Sequence, residues 1–257
     1  MATTDTSLTL SGPDEPGRFL ALNRPAAEII AVVADNLGGE ALTERDLPRV
    51  KVPSGGSTTW EAPTLTGMEP TKALTGVLVH FKQTRAYWAP DADSGTPPQC
   101  RSEGPDLTAV GVGDPGGPCI TCPLAQYGTA TDDKGNPAPG QACNAKEIWF
   151  MLRDGDLLPI VLALPATSLK PARGYRKGTL GPYGVRYSSV VTTITLAASK
   201  NAKGDSYAVI EPNVAGMLSP EEAERAKLYG DELRDLLDAA AVSAATDGAI
   251  NGTAEAA

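Results

Sequence analysis

Four cysteines constrain this chain most strongly, because all of them fall within one short segment. Cys100, Cys119, Cys122 and Cys143 have the spacing C-x18-C-x2-C-x20-C within 44 residues of a 257-residue chain, which holds no other cysteine. The close pair Cys119–Cys122 has the spacing that tetrahedral zinc sites use, with Zn–S bonds of about 2.3 Å. We therefore predict that the four thiolates bind one structural zinc ion and leave it no open position for catalysis.

Three other chemistries use cysteines in related patterns. Two disulfides would require an oxidising compartment, and the N-terminus lacks the basic and apolar regions of a secretion signal. A thioredoxin-like C-x-x-C would require a βαβ setting and would leave two cysteines unexplained. An iron–sulfur cluster also takes four cysteines, usually at more compact spacings. These alternatives stay open beside zinc.

Composition favours a loop-rich β protein over a helical bundle. The chain has 27 glycines and 22 prolines, and aromatic residues make up only 5% of it. No run of 18 apolar residues occurs, so we expect no membrane span and, by default, a cytosolic protein. The net charge of −9 argues against a simple basic nucleic-acid binder, although the distribution of charge matters more than its sum.

Periodicity in the apolar residues predicts the elements. Strands are predicted within 46–63, over 74–89, as a pair around an Asp154-Gly155 turn within 145–169, and over 188–201 and 206–216. A short helix is predicted after Arg24, and an amphipathic helix over 219–241 begins at Ser219.

The domain organisation follows from these elements. We predict a flexible leader over 1–22, a single domain over 23–241 with an insertion at about 90–144, and a disordered tail over 242–257.

Two segments combine basic and aromatic residues. Residues 170–187 hold five cations and no acid among three tyrosines and several glycines, and we predict a loop that follows phosphates while tyrosines stack on bases. The strand at 74–89 carries a similar mixture on one face. The plainer alternatives are a solvated surface loop and aromatic residues that cap the core. The predicted nucleic-acid contacts are Lys82, Arg85, Tyr87, Trp88, Arg173, Tyr175, Arg176, Lys177, Tyr183 and Arg186.

Sequence motifs of catalysis are missing. The chain has one histidine, His80, and contains no H-E-x-x-H, G-x-S-x-G or G-x-x-x-x-G-K-[ST]. Residues 111–116 formally match G-x-G-x-x-G, but they follow no predicted strand and contain a proline. We expect His80 to be a packed or surface residue and the protein not to be an enzyme.

Several stretches together resemble a known group of proteins. They are DNLGGEALTERDLPRVKVPSGGSTTWEAP, the strand ending in Tyr87-Trp88, the four-cysteine insertion and LPATSLKP. Over roughly residues 36–215 they resemble phage-borne single-stranded-DNA-binding proteins with an OB-fold and a zinc segment. The resemblance implies a mainly β (α+β) fold, in which an OB-fold-like β-barrel carries an inserted zinc-ribbon-like loop and a C-terminal amphipathic helix.

The resemblance also implies a function and a setting. It implies sequence-tolerant binding of single-stranded DNA in phage DNA replication and recombination, in the cytosol of the bacterial host, with replication or recombination proteins as further partners. Many such proteins end in an acidic tip, whereas the last eleven residues here hold only Asp247 and Glu255 as acids. The alternative is a zinc-stabilised protein-interaction module, such as a transcription or virion-assembly factor.

Overall fold

Most of the segments in which apolar and polar residues alternate form strands of one large sheet. The computed structural model describes residues 19–90, 92, 96–103, 109–132, 135–201 and 204–246. In this part of the chain the fold is mixed α/β, with a nine-stranded sheet and a few helices, which is consistent with the mainly β prediction. The strands are β1 (Arg49–Lys51), β2 (Trp60–Thr64), β3 (Gly67–Thr71), β4 (Ala73–Tyr87), β5 (Cys100–Glu103), β6 (Val110–Gly113), β7 (Gly117–Pro118), β8 (Asn144–Leu152), β9 (Ile160–Leu164), β10 (Val190–Lys200) and β11 (Ser206–Met217).

The long strand β4 is the centre of the sheet. The hydrogen-bonded order is β1-β9-β8-β4-β5-β6-β7, and β10 pairs with β4 and with β11. All these pairs are antiparallel except β1 with β9. Strands β2 and β3 form a separate hairpin. The predicted hairpin around Asp154-Gly155 is confirmed as β8 and β9.

Four α-helices accompany the strands. Their ranges are α1 (Ala26–Asn36), α2 (Ala166–Arg173), α3 (Pro220–Glu232) and α4 (Arg234–Thr246). The predicted start of the C-terminal helix is confirmed, because the Ser219 side chain accepts from the backbone N–H of Glu222 and the Glu222 carboxylate accepts from that of Ser219. The predicted single helix over 219–241 is wrong in one respect, since Leu233 separates two helices and the second one runs on to Thr246.

Both faces of the sheet are buried, which explains why β8 is almost continuously apolar. Ile148 and Phe150 pack with the N-terminal segment, α3 and α4 in one core cluster. Trp149 and Met151 pack in a second cluster with Trp60 and the residues around α2. The alternation of β8 side chains therefore supplies two cores from one strand.

Parts of the predicted leader (1–22) and of the predicted tail (242–257) are packed in the described structure. Residues 1–18 and 247–257 lie outside the described residues. Phe19, Ala21 and Leu22, which were assigned to the leader, are buried in the first core cluster. Ala244 and Ala245, which were assigned to the tail, are buried in α4.

The segment 170–187 is helical and not the loop that its glycines predicted. Helix α2 continues into a π-helical stretch over Gly174–Leu180 and a 3-10 turn over Gly181–Tyr183. Ala172, Tyr175 and Leu180 are buried, so one side of this segment packs against the sheet. Packing of these side chains outweighs the low helix propensity of glycine.

None of the helices in the described ranges is long and apolar enough to cross a membrane.

Candidate nucleic-acid interface

One edge of β4 is left open between two neighbouring strands. Val77 pairs with both Leu152 of β8 and Val191 of β10, and Ala86 pairs with both Asn144 of β8 and Arg101 of β5. Strands β10 and β5 therefore lie on the same edge of β4, opposite β8. Within the described residues no strand pairs with that edge between them, over residues 78–85.

Helix α3 crosses this open edge in close contact. A Cβ added to Gly230 would overlap the carbonyl oxygen of Val79, so the helix backbone can approach β4 only because residue 230 has no side chain. This crossing brings the end of α3 and the start of α4 beside the segment 174–188. A cleft of about 460 Å³ lies between them.

The cleft concentrates positive charge. Its lining residues are Phe81, Arg176, Lys177, Leu180, Val185, Arg186, Tyr187, Ser188, Lys227, Asp231 and Arg234. They include five cations and one carboxylate, in a chain whose net charge is −9. Cations on low-dielectric walls focus a positive potential, so the cleft is suited to an anionic ligand.

Arg176 is the deepest of these cations, and its charge is already matched. Its Nε and Nη2 donate to the two carboxylate oxygens of Glu147 at 2.9 and 2.6 Å, and the side chain of Glu147 is only 1% exposed. Trp149 Nε1 and Gln83 Nε2 donate to the same carboxylate. The Arg176 guanidinium also lies 3.9 Å from the ring centroid of Phe81, a cation–π contact. Arg176 is therefore a structural residue of the cleft wall more than a free phosphate contact.

The aromatic part of the cleft is fixed by packing. Phe81 meets Tyr187 edge to face, with ring centroids 5.2 Å apart. Burial raises the pKa of Tyr187, and the charge of Asp231 raises it too, while the charges of Arg234, Arg176 and Lys227 lower it. The phenol is thus neutral at physiological pH and can donate a hydrogen bond into the cleft.

The remaining cations are on the surface of the cleft. Lys177 is exposed. Arg186 is 63% exposed and lies 3.7 Å from the carboxylate of Glu224. Lys227 Nζ donates to Asp231 at 2.9 Å, and Arg234 pairs with the same carboxylate. Such exposed pairs contribute little to the stability of the fold.

The structure brings together three of the predicted contact residues, namely Arg176, Lys177 and Arg186. Arg173 is exposed on α2 and Tyr183 is 81% exposed, and neither lines the cleft. Tyr175 is buried, and its hydroxyl is 2.8 Å from that of Thr192, so its ring is part of the second core cluster.

The predicted contacts on β4 have partners elsewhere. Lys82 Nζ is 3.1 Å from the Asp238 carboxylate on α4. Arg85 donates to the Gln141 side chain at 3.1 Å, near the cysteines. Tyr87 is half-buried, and Trp88 Nε1 donates to the carbonyl of Thr96. These four residues do not line the cleft.

Sequence reasoning missed eight of the lining residues, and four of these are aromatic or cationic: Phe81, Tyr187, Lys227 and Arg234. Phe81 and Tyr187 lay within the two segments that were singled out for their basic and aromatic residues. Lys227 and Arg234 lie seven residues apart on the polar side of the predicted amphipathic helix. This spacing was the one sequence feature that could have indicated that they act together. Only the crossing of α3 over β4 shows that this side faces the basic segment.

The four cysteines lie at the end of the sheet that β4 and β5 share. Cys100 opens β5 opposite Tyr87, and Cys100, Cys119 and Cys143 are buried while Cys122 is half-buried. None of the four forms a disulfide in the described structure. The pKa of Cys143 is raised to about 12, chiefly by burial; the charge of Arg85 lowers it, and the other three cysteines raise it.

The donor set fits zinc in chemistry, with four thiols and a Cys119–Cys122 turn in which the Cys122 N–H donates to the Cys119 carbonyl at 3.3 Å. The cysteine sulfurs are too far apart to bind one metal ion together. In the part of the chain that the structure describes, no three His, Cys, Asp or Glu side chains are close enough to hold a metal ion.

Comparisons with protein-family models, with curated proteins and with solved structures find no match to this chain.

Proposed function

We propose that this protein binds single-stranded DNA without strong sequence preference, through the cleft at the open edge of β4. The observation that carries the proposal is the convergence of four surface cations there, beside the internally paired Arg176, in a chain of net charge −9. Phosphate neutralisation by lysine and arginine supplies most of the sequence-independent affinity for nucleic acid. No catalytic step is part of the proposal.

The shape of the site favours a single strand over a duplex. The cations line a recess of about 460 Å³ and do not form a flat patch. A flexible single strand can bend its backbone into such a recess, whereas duplex DNA is stiff over about 150 base pairs. The exposed ring of Tyr183, beside the cleft, offers a surface on which a base can stack, for about 1–3 kcal/mol per base.

The resemblance to phage single-stranded-DNA-binding proteins supports the same function. The corresponding fold proposal is an OB-fold-like barrel. The central strand β4 suits such a barrel, because it contains a bulge and pairs with strands on both of its edges. The sheet strands β1 and β11 are not paired with each other in the described residues, so the barrel would close through side-chain packing. Replication or recombination proteins are the proposed partners.

A structural zinc ion on Cys100, Cys119, Cys122 and Cys143 is part of the proposal. Neither core cluster contains a described residue between Tyr87 and Asn144. The described buried apolar side chains of that segment are three cysteines and two alanines, which bury too little apolar surface for a core of their own. Metal coordination is the interaction that would hold this segment together.

The test is a fluorescence-anisotropy titration with oligo-dT, duplex DNA and RNA at two or more salt concentrations. We expect oligo-dT to bind most tightly, with a log–log salt slope of about −0.7 per phosphate contact. The double variant Lys177→Ala/Arg186→Ala should reduce the magnitude of the slope by about 1.4, since two contacts are lost.

The matched control is Lys200→Ala. It removes an exposed cation at the far end of β10, about 33 Å of strand away from the cleft side, and should leave the slope unchanged. Binding that does not depend on salt, or an equal effect of the control and the double variant, would refute the cleft as the binding site.

One observation favours the alternative of a protein-interaction module. Four large apolar side chains are exposed on the cysteine segment, at Val110, Val112, Ile120 and Tyr127. Val110 and Val112 lie on the same side of β6, and adjacent exposed apolar side chains are typical of protein-binding surfaces. If this is the main function, a partner should be recovered from DNase-treated lysate, and Ile120→Ser should abolish its capture while oligo-dT binding stays absent.

A further inference from the structure

Asp231 is the one carboxylate among the described residues that line the basic cleft. It accepts from Lys227 one helical turn before it and pairs with Arg234 three residues after it. The hydrogen bonds of these two cations outweigh burial and hold the pKa of Asp231 below its usual value, so it is fully ionised at neutral pH. It therefore occupies the position between two cations that a phosphate oxygen of a ligand would take.

Helix stability does not account for this arrangement. Asp231 lies in the last turn of α3, where the helix dipole disfavours a negative charge. Arg234 begins α4, where the dipole disfavours a positive charge. Both ion pairs are also solvent-exposed, and exposed pairs add little to the stability of a fold. Asp231 and Arg234 each carry a charge that the dipole of their own helix disfavours, and both residues line the cleft.

We propose that Asp231 is an internal competitor of the anionic ligand, a residue that limits the affinity of the cleft and favours polyanions over single anions. A lone anion gains too little to displace the carboxylate from Lys227 and Arg234. A polyanion is also held by Lys177 and Arg186, and this multivalent attachment lets one of its phosphates replace Asp231. The affinity part of this inference rests on the proposed function of the cleft.

The test compares Asp231→Asn with Asp235→Asn and the unaltered protein. Both variants remove one negative charge, but Asp235 is exposed in the first turn of α4 and does not line the cleft. Two readouts are used: anisotropy of labelled oligo-dT between 50 and 300 mM salt, and the salt concentration at which each protein elutes from heparin, a polyanion that tests the cleft whether or not DNA is its ligand. Thermal melting checks that both variants are folded.

We expect Asp231→Asn to behave as though one phosphate contact had been added. The log–log slope should steepen by about 0.7, which corresponds to binding that is about tenfold tighter at 50 mM salt. Its elution from heparin should move to higher salt, and inorganic phosphate should then compete with oligo-dT. Asp235→Asn should change each readout much less.

Equal effects of the two variants would overturn the inference, because they would reflect net charge alone. Weaker binding by a folded Asp231→Asn would overturn it too, since Asp231 would then be positioning the cations. If the unaltered protein does not bind oligo-dT, the proposed function fails, and the heparin comparison still decides whether Asp231 competes with anions.

Discussion

Residue by residue, the basic segment divides into structural and available cations. Arg176 and Lys177 are neighbours in sequence, yet the first is held by the buried carboxylate of Glu147 and the second is exposed. The partner of Arg176 lies 29 residues earlier, on β8. No local pattern identifies such a pair, because it depends on how the π-helical stretch packs against the sheet.

Loss of Arg176 should destabilise the protein itself. Arg176→Ala would leave the carboxylate of Glu147 buried without its cation, and breaking a buried pair costs about 3–5 kcal/mol. Urea unfolding measures the loss. The control Arg173→Ala removes an exposed arginine from the same segment and should change stability by less than about 0.5 kcal/mol. Similar stability of the two variants would show that the pair is not structural.

His80 should make stability depend on pH in the neutral range. Burial lowers its pKa below 6.5, the Asp238 hydrogen bond and charge oppose this, and Arg234 and Lys82 add to the lowering. The unfolded state therefore takes up a proton before the folded state does, and stability should fall as the pH drops through about 6.5 and level off below the folded pKa. His80 is the chain's one histidine, so no other imidazole contributes.

Unfolding free energies at pH 7.5, 6.5 and 5.5 test this dependence. His80→Gln should remove the decrease between pH 7.5 and the folded pKa. Asp238→Asn removes the carboxylate that raises the pKa of His80 and should deepen the decrease. A decrease of the same size in His80→Gln would assign it to other groups.

Among the elements, α3 depends on one glycine for its position. The helix crosses the open edge of β4 at Gly230, directly against the carbonyl of Val79. Its amphipathic stripe and its start at Ser219 were predictable from sequence, since local capping and periodicity determine them. The crossing of α3 over β4 was not predictable from sequence. A glycine inside a helix indicates only a lower helix propensity and does not indicate which element packs against it.

Gly230→Ala should displace α3 from β4. Overpacking of a close contact costs about 1–3 kcal/mol, so the variant should melt at a lower temperature than the unaltered protein. Gly178→Ala is the matched control, because a Cβ at Gly178 meets no atom within 4 Å. We expect that variant to be neutral or more stable by up to about 1 kcal/mol. Equal melting temperatures of Gly230→Ala and Gly178→Ala would show that α3 does not pack directly against the carbonyl of Val79.

At the scale of the whole molecule, the positions of the strands in the sequence were more predictable than the pairing of one strand with another. Alternation or apolar runs indicated β4, β8, β9, β10 and β11, since these depend on neighbouring residues. Their order in the sheet and the open edge of β4 depend on pairings between distant segments, and no local rule gives those. The cysteine segment was expected as an insertion, whereas its strands β5, β6 and β7 extend the sheet beyond β4.

Zinc removal should loosen the cysteine segment and spare the two cores. We expect one zinc ion per chain by metal analysis of the purified protein. A chelator should make Tyr127, which is 78% exposed, a site of rapid chymotryptic cleavage, because cleavage requires local unfolding of the backbone around it. The fragments carrying β4 and β8 should stay associated. Absence of metal, with unchanged resistance to cleavage, would contradict the zinc proposal.

The central place of β4 has a consequence during synthesis. Val77 must pair with Val191, which leaves the ribosome 114 residues later. At about 5–20 residues per second, the apolar strand β4 waits roughly 6–23 s for this neighbour. Until then its edge is open to other nascent strands, so expression yield should depend on translation speed and on chaperones more than the stability of the finished fold suggests.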